Sequence, residues 1–154
     1  MIKIDPIQKI KLCDICGQPG DTFLMTTRPF PFPLKLNGSN LSRDRCLNFY
    51  GNEKIADAVI DALQEILDIF GLDFIQENGL DWYGGCYCNR KSRGSDYKSV
   101  HAWGMAVDYL PQLGAYGKPS LIPYHVVQAF KNRGFIWGGD WNHPDGMHFS
   151  GVIE

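Results

Sequence analysis

The feature that most constrains the fold is an amphipathic helix predicted between Asn52 and Gly71. Asn52 is a good N-cap, and Gly71 fits the position after the last turn, where a left-handed backbone ends a helix. Aspartates populate the opposite side of this segment, so one face is suited to a core and the other to solvent. Apolar side chains recur at three- and four-residue spacing at Ile55, Val59, Ala62, Leu63, Ile66 and Ile69.

Shorter elements follow this helix. A second helix is predicted from Pro123 to Arg133, because proline suits a first helical turn and Gly134 follows the end. Strand-like runs are predicted over Gly104–Leu110, Gly134–Trp137 and Met147–Val152. One helix followed by strands that a second helix interrupts favours an α+β fold with a small antiparallel sheet and flanking helices.

The first part of the chain is rich in turn-forming residues. Its run P-F-P-F-P at 29–33 favours an extended backbone and lacks amide donors at every second residue. We therefore expect residues 1–50 to form an ordered, extended wrapping segment rather than a central strand. No linker or repeat divides the chain, which predicts one domain over residues 1–154, with the motif core at 83–150.

Charge and hydropathy exclude several classes of partner. The formal net charge of −2 argues against binding nucleic acid through bulk electrostatics. No run approaches the roughly eighteen apolar residues of a membrane span, so no stable membrane association is expected. The start of the sequence lacks the apolar core of a secretory signal, which predicts a cytoplasmic protein. A monomer is expected.

Five cysteines, at positions 13, 16, 46, 86 and 88, are an odd number, and reduced thiols are expected. Cys13 and Cys16 have the spacing of half a zinc knuckle. A structural zinc site needs four ligands, and Cys86 and Cys88 are distant and wrongly spaced for the other half. Surface or packing cysteines are the favoured interpretation, with a nucleic-acid-binding zinc module as a remote alternative.

Three polar residues in strand-like surroundings carry the functional signal. Asp108 lies in the first predicted strand, His101 comes just before it, and Gly104 lets the backbone turn so that the two can converge. His148 lies in the last predicted strand. Two histidines and a carboxylate match a catalytic zinc site that keeps one position open for water. Asp145, three residues before His148, could move the proton of that water.

Structural interpretations compete with this one. A histidine in a strand is often a satisfied structural residue, and His125 on the second helix is interpreted in that way. His143, two residues before Asp145, competes as a metal ligand. Spacing alone leaves these alternatives open.

The motifs resemble a family of zinc peptidases. S-x-H-x-x-G-x-A-x-D at 99–108, G-F-x-W-G-G-D-W at 134–141 and D-x-x-H-F at 145–149 are similar to the family of D-alanyl-D-alanine carboxypeptidases and of phage endolysin L-alanyl-D-glutamate endopeptidases. P-F-P-L at 31–34 and Y-G-G-C-Y-x-x-R-x-x-R-G-S at 83–95 resemble the endolysin-like branch. The resemblance spans the chain from about residue 17 to its end. It implies the fold that these peptidases share with hedgehog signalling domains.

The resemblance implies a role for each matching residue. His101, Asp108 and His148 would be the ligands of one zinc ion, and Asp145 would be the catalytic acid and base, where the family often has glutamate. An arginine upstream of Ser99 would stabilise the oxyanion; Arg90 fits best and Arg93 is the alternative.

Further positions carry weaker expectations. Ser99 is expected to contact substrate or to cap a turn. Trp137 and Trp141 are expected to build a wall of the substrate groove or to pack in the core. Ser150 stands where the family often has a glutamate that could orient a ligand.

The resemblance thus implies a zinc-dependent hydrolase acting on peptidoglycan stem peptides, most closely an L-alanyl-D-glutamate endopeptidase. A D-alanyl-D-alanine carboxypeptidase is the first alternative, and a non-catalytic zinc-binding module of the same fold is the second. A phage or prophage setting would imply that another protein releases the enzyme to the cell wall.

Overall fold

A computed structural model of the protein describes residues 6–36, 45–92 and 98–152. The helices and strands mix within one α+β fold, which confirms the predicted class. The helices are α1 (Pro6–Cys16), α2 (Glu53–Phe70), α3 (Leu72–Glu77) and α4 (Tyr124–Lys131). The strands are β1 (Met25–Leu36), β2 (Arg45–Asn52), β3 (Trp82–Gly85), β4 (Ala106–Tyr109), β5 (Ile136–Trp137) and β6 (His148–Ser150).

The six strands form one sheet in the order β2-β1-β3-β4-β6-β5. Four of the neighbouring pairs are antiparallel, as expected, but β1 and β3 run parallel over the two residue pairs that join them. The sheet is therefore mixed. The parallel step is possible because α2 and α3 lie between β2 and β3 in the chain and provide the crossover that parallel strands require.

Helix α2 begins and ends at the predicted residues, but Ile69, which was expected on its apolar face, is exposed. Asn52 caps its start by accepting a hydrogen bond from the amide of Lys54 at 3.0 Å, and Gly71 ends it with a φ of 77°. Its buried residues pack mainly on β1 and also meet α4. The second predicted helix is α4, which begins after Pro123. Across the described ranges, no helix has the length and apolar character that crossing a membrane requires.

The proline-rich run differs from its prediction, because it lies inside β1 and β1 is flanked by β2 and β3. The ladder with β2 is interrupted between Pro29 and Leu34, so Pro31 and Pro33 fall where no ladder amide is needed. Phe30, Phe32 and Leu34 alternate with the prolines and are all buried. The run therefore keeps the two-residue period of a strand while its ladder is irregular.

Two other parts of the predicted wrapping segment are also regular structure. Residues 6–16 form α1, which places Leu12 and Cys16 in the core, and residues 45–52 form β2. Neither had a strong periodic signal in the sequence. Residues 1–5 and 37–44 of the predicted segment lie outside the described residues.

Asn52 joins three parts of the fold. Its side-chain oxygen caps α2, and its amide nitrogen donates to the carbonyl of Trp103 at 3.1 Å. Its backbone N–H donates to the carbonyl of Gly104 at 3.0 Å. The residue is 1% exposed, so none of these groups could be satisfied by bulk water instead. The start of α2 is thereby fixed to the segment that precedes β4.

We expect Asn52→Ala to lower the free energy of unfolding by about 2 to 4 kcal/mol, because it removes a helix cap and leaves the carbonyl of Trp103 buried without its partner. Urea denaturation measures the change. Asn48→Ala, at an exposed position of the neighbouring strand β2, is the matched control and should change stability by less than about 0.5 kcal/mol. Equal losses in the two variants would contradict the joining role of Asn52.

Candidate active site

The pairing of β4 with β6 brings two of the predicted site residues together. Asp108 stands directly opposite His148, and Val107 stands opposite Phe149. Because side chains alternate along a strand, Asp108 and His148 project from the same face of the sheet while Val107 and Phe149 enter the core. The predicted strands therefore have the register that a shared site requires.

His101 reaches the same place from a short 3₁₀ turn, Val100–Trp103. The hydroxyl of Ser99 caps this turn by accepting a hydrogen bond from the amide of His101 at 3.3 Å. Gly104 ends the turn in the left-handed conformation, with a φ of 66°. A Cβ on Gly104 would lie 2.8 Å from the amide nitrogen of Asn52, so only glycine fits between the turn and β2.

The three side chains converge on one point. One ligand atom from each of His101, Asp108 and His148 lies within 4.8 Å of the others. Nε2 of His101 is 3.2 Å from Oδ1 of Asp108, and Nδ1 of His148 is 3.5 Å from that same oxygen. The two imidazoles are buried and the carboxylate is nearly so. Such a group is costly to bury unless a cation or protons balance it.

The charge of Asp108 is strongly favoured. Burial would raise the pKa of its carboxyl, but the adjacent imidazoles of His101 and His148 outweigh burial and hold that pKa well below its usual range. The carboxylate is therefore ionised at neutral pH. A buried negative charge is stabilised by a nearby cation, either a proton on an imidazole or a metal ion.

The hydrogen bonding of His101 bears on what that cation is. Its Nδ1 lies 2.7 Å from the carbonyl oxygen of Cys86, and a carbonyl can only accept, so Nδ1 carries the hydrogen. In the neutral ring, Nε2 is then a lone pair that faces Oδ1 of Asp108. Neither atom has a hydrogen-bond partner among the described residues. A proton or a metal ion between the two atoms balances the carboxylate, and two imidazoles with one carboxylate form a donor set that fits a metal.

The ring of His148 is oriented by Ser150, whose hydroxyl lies 2.6 Å from Nε2. This leaves Nδ1 directed at Asp108. The sequence suggested that an orienting group was missing at Ser150, because a serine stands where the family often has glutamate. The hydroxyl makes the orienting contact itself, and the alternation of β6, which puts residues 148 and 150 on one face, was the signal that could have revealed it.

Gly84 packs directly against Asp108. A Cβ at this position would lie 2.8 Å from Cβ of Asp108, closer than real Cβ contacts allow. The β3–β4 pairing is irregular between Tyr83 and Gly85, where the two strands approach. A side chain at residue 84 would push the carboxylate away from the two histidines.

Asp145 lies on the turn that leads into β6. Its carbonyl accepts a hydrogen bond from the amide of His148 at 3.0 Å, and its own amide donates to the carbonyl of Gly138 at 2.9 Å. It does not belong to the group of three potential ligands found among the described residues. The structure thus places it next to a ligand in the chain, and not in the ligand set.

The two predicted groove tryptophans have different surroundings. The ring of Trp141 lies 5.2 Å from that of His148, centroid to centroid. Trp137 pairs with Phe149 in the sheet, and its indole N–H donates to the carbonyl of Gly146 at 2.7 Å. Trp141 therefore lies beside the group of His101, Asp108 and His148 (the three-residue group). Trp137 contacts the turn at residues 144–147 that carries Asp145 (the Asp145 turn). A direct contact of either ring with substrate stays a prediction.

Arg90 is attached to the site through its backbone. Its carbonyl accepts a hydrogen bond from the amide of Ser99 at 2.8 Å. This bond joins the backbone of Arg90 to the start of the turn that carries His101. Its guanidinium is exposed and lies 3.4 Å from the carbonyl of Lys91. Arg93 lies outside the described residues. Ser99 is buried and acts as a turn cap, which was one of its two predicted roles.

The competing ligands are not brought to the site. His143 and His125 are both exposed, and neither joins the three-residue group. Within the described ranges, that group also includes no cysteine. All five cysteines are free thiols, and Cys13 and Cys16 lie on α1, where no second cysteine pair completes a four-ligand site.

Comparison with known proteins bears on the same residues. Residues 93–151 match the model of a peptidase family described as D-alanyl-D-alanine carboxypeptidase. The match covers less than half of the chain, but it includes His101, Asp108, Asp145 and His148, and it begins at Arg93, beyond Arg90. No significant match was found among curated proteins or among solved structures.

The family match and the geometry support a zinc peptidase. The small α+β fold is compatible with that of the matched family. Two imidazoles and one carboxylate also hold iron(II) in oxygenases, so the donor set alone does not select the metal. The peptidase match favours zinc, which this family uses.

We expect Ser150→Ala to weaken zinc affinity about 10- to 100-fold, because the orienting contact to His148 is lost while the three ligands remain. His148→Ala should lose stoichiometric zinc altogether. Competition against a chromophoric chelator measures both affinities. The double variant Cys13→Ser/Cys16→Ser is the control and should bind one equivalent as the natural chain does. Zinc retained by His148→Ala would contradict the ligand set.

Proposed function

We propose that the protein is a zinc-dependent peptidase that hydrolyses peptidoglycan stem peptides, with the bond between L-alanine and D-glutamate as the favoured target. The observation that carries the proposal is the buried convergence of His101, Asp108 and His148 within a segment that matches a peptidase family. The favoured bond rests on the sequence segments at 31–34 and 83–95, which resemble the endolysin-like branch.

The metal would be held by three atoms: Nε2 of His101, Oδ1 of Asp108 and Nδ1 of His148. When bound in such a site, zinc polarises a carbonyl and lowers the pKa of a water molecule to about 7. Three protein ligands leave a position for the reacting groups. The ligands themselves are held by the backbone of Cys86 and by the hydroxyl of Ser150, so the site is formed before substrate arrives.

Asp145 would carry the proton. As a general base its carboxylate takes a proton from the attacking water, and as a general acid it returns that proton to the leaving amine. Such a residue must lie near the metal without binding it. The hydrogen bond from the amide of His148 to the carbonyl of Asp145 supports this role, because it ties the two residues to one turn.

An arginine would stabilise the negative charge that develops on the substrate carbonyl during attack. Arg90 is the proposed residue, because its backbone is joined to that of Ser99, at the start of the His101 turn. Arg93 is the alternative, since the family match begins there and not at Arg90.

A D-alanyl-D-alanine carboxypeptidase is the second candidate, and the description of the matched family favours it. The two reactions use the same chemistry and differ only in the peptide bond that the groove accepts. A non-catalytic zinc-binding module is less favoured, because Asp145 is present at the position of the acid and base.

We expect Asp145→Asn to keep zinc and the fold but to lower turnover about 100- to 10,000-fold, because an amide cannot accept and return the proton. Hydrolysis of muropeptides at saturating substrate measures turnover, and metal analysis checks zinc. Asn142→Ala, an exposed change in the same segment, is the control and should keep full activity. Full activity in Asp145→Asn would show that another group moves the proton.

Digestion of purified disaccharide tetrapeptides and pentapeptides, followed by mass spectrometry, identifies the bond. An endopeptidase should convert both substrates to disaccharide-L-alanine. A D,D-carboxypeptidase should release terminal D-alanine from the pentapeptide and leave the tetrapeptide intact. The His148→Ala protein is the blank. If zinc binds and neither substrate is cut, the proposed activity is wrong and the non-catalytic module is favoured.

A further inference from the structure

The turn that carries Asp145, residues 144–147, is held by three separate parts of the chain: residue 109, residues 114–117 and residues 137–138. In this Asp145 turn almost every backbone group is in a hydrogen bond. Two of its amides donate: that of Asp145 to the carbonyl of Gly138 at 2.9 Å and that of Met147 to the carbonyl of Gly114 at 3.0 Å. Three of its carbonyls accept: that of Pro144 from the amide of Gly117 at 2.7 Å, that of Met147 from the amide of Tyr109 at 2.8 Å and that of Gly146 from the indole N–H of Trp137 at 2.7 Å.

Trp137 supplies the side-chain donor in this set, and its own ring is fixed. Its backbone pairs with Phe149 in the sheet. The ammonium of Lys131 lies 5.3 Å from the ring centroid and 2.7 Å from a carboxylate oxygen of Asp140. A Cβ on Gly139 would lie 2.2 Å from the ring, so the chain passes directly against it. The indole N–H therefore has one stable direction.

Glycines allow the neighbouring segments to approach the Asp145 turn. A Cβ on Gly138 would lie 2.4 Å from the carbonyl oxygen of Asp145 and 3.1 Å from Cβ of His148. A Cβ on Gly114 would lie 2.4 Å from the amide nitrogen of Met147. The backbone at Gly138 and at Gly114 therefore packs directly against the Asp145 turn, and the indole of Trp137 contacts it as well.

We propose that Trp137 is a positioning residue for proton transfer by Asp145, rather than a wall of the substrate groove. Its indole N–H fixes the carbonyl of Gly146 and, through it, the place of Asp145 relative to His148. This inference rests on the proposed function. A catalytic group displaced by about 1 Å can lose about 100-fold in rate, so a single hydrogen bond to this turn is enough to matter.

Trp137→Phe removes the N–H and keeps an aromatic ring. We expect kcat to fall about 10- to 100-fold while KM and zinc affinity stay within about twofold. Trp82→Phe, whose ring lies beside Gly79 and Lys35, is the matched control for activity and should change neither parameter. A rise in KM with kcat retained would overturn the proposal, since that result is expected of a substrate wall. Gly114→Ala displaces the same turn from its other side and should also lower kcat at constant KM.

Amide hydrogen exchange gives a readout that does not depend on activity. In Trp137→Phe the amides of Asp145, Met147 and His148 should exchange about tenfold faster or more, because one anchor of the turn is lost. In Trp141→Phe they should not, since the indole nitrogen of Trp141 has no hydrogen-bond partner among the described residues. Unchanged exchange in Trp137→Phe would overturn the proposal.

If the natural chain cuts no muropeptide, the catalytic part of the inference falls with the proposed function. The exchange measurements then still decide whether Trp137 holds the turn.

Discussion

The register between β4 and β6 is the constraint on which the site depends. A shift by one residue would place Phe149 opposite Asp108 and rotate His148 to the other face of the sheet. Three residue pairs join these strands, and the hydrogen bonds from Tyr109 to Met147 and from Gly151 to Met105 continue the same register on either side. The core also defines it: Phe149 is fully buried and stacks on Phe130 with ring centroids 4.3 Å apart. Apolar packing on one face therefore sets the polar geometry on the other.

Much of the fold followed from periodicity, and the exceptions have physical reasons. The apolar stripe of α2 and the strands around Asp108 and His148 had the periods that sequence analysis detects. Strand β1 was wrongly predicted as a wrapping segment, because proline cannot donate to a continuous ladder but this ladder is interrupted where Pro31 and Pro33 lie. Strand β3 contains two glycines: Gly84 lets β4 approach, since a Cβ there would meet Asp108, and Gly85 adopts a φ of 115°, which other residues rarely take.

In the site, too, some features could be predicted from the sequence and others could not. Histidines and aspartates with family spacing could be selected from the sequence, because their chemistry is carried by residue type. The groups that hold them could not, since the carbonyl of Cys86 and the cap from Ser99 are defined only by how the chain folds. Trp137 was noticed as a large aromatic residue near the motif. Its contact with the Asp145 turn depends on a hydrogen bond that spans nine residues.

The buried group of His101, Asp108 and His148 has a consequence for the stability of the fold. A metal that binds only the folded chain stabilises the fold, and the gain grows with the free metal concentration relative to the dissociation constant. The metal would also connect the side chains of β4 and β6 across one face of the sheet. The fold would therefore be more stable with zinc bound than without it, and more resistant to unfolding when zinc is plentiful.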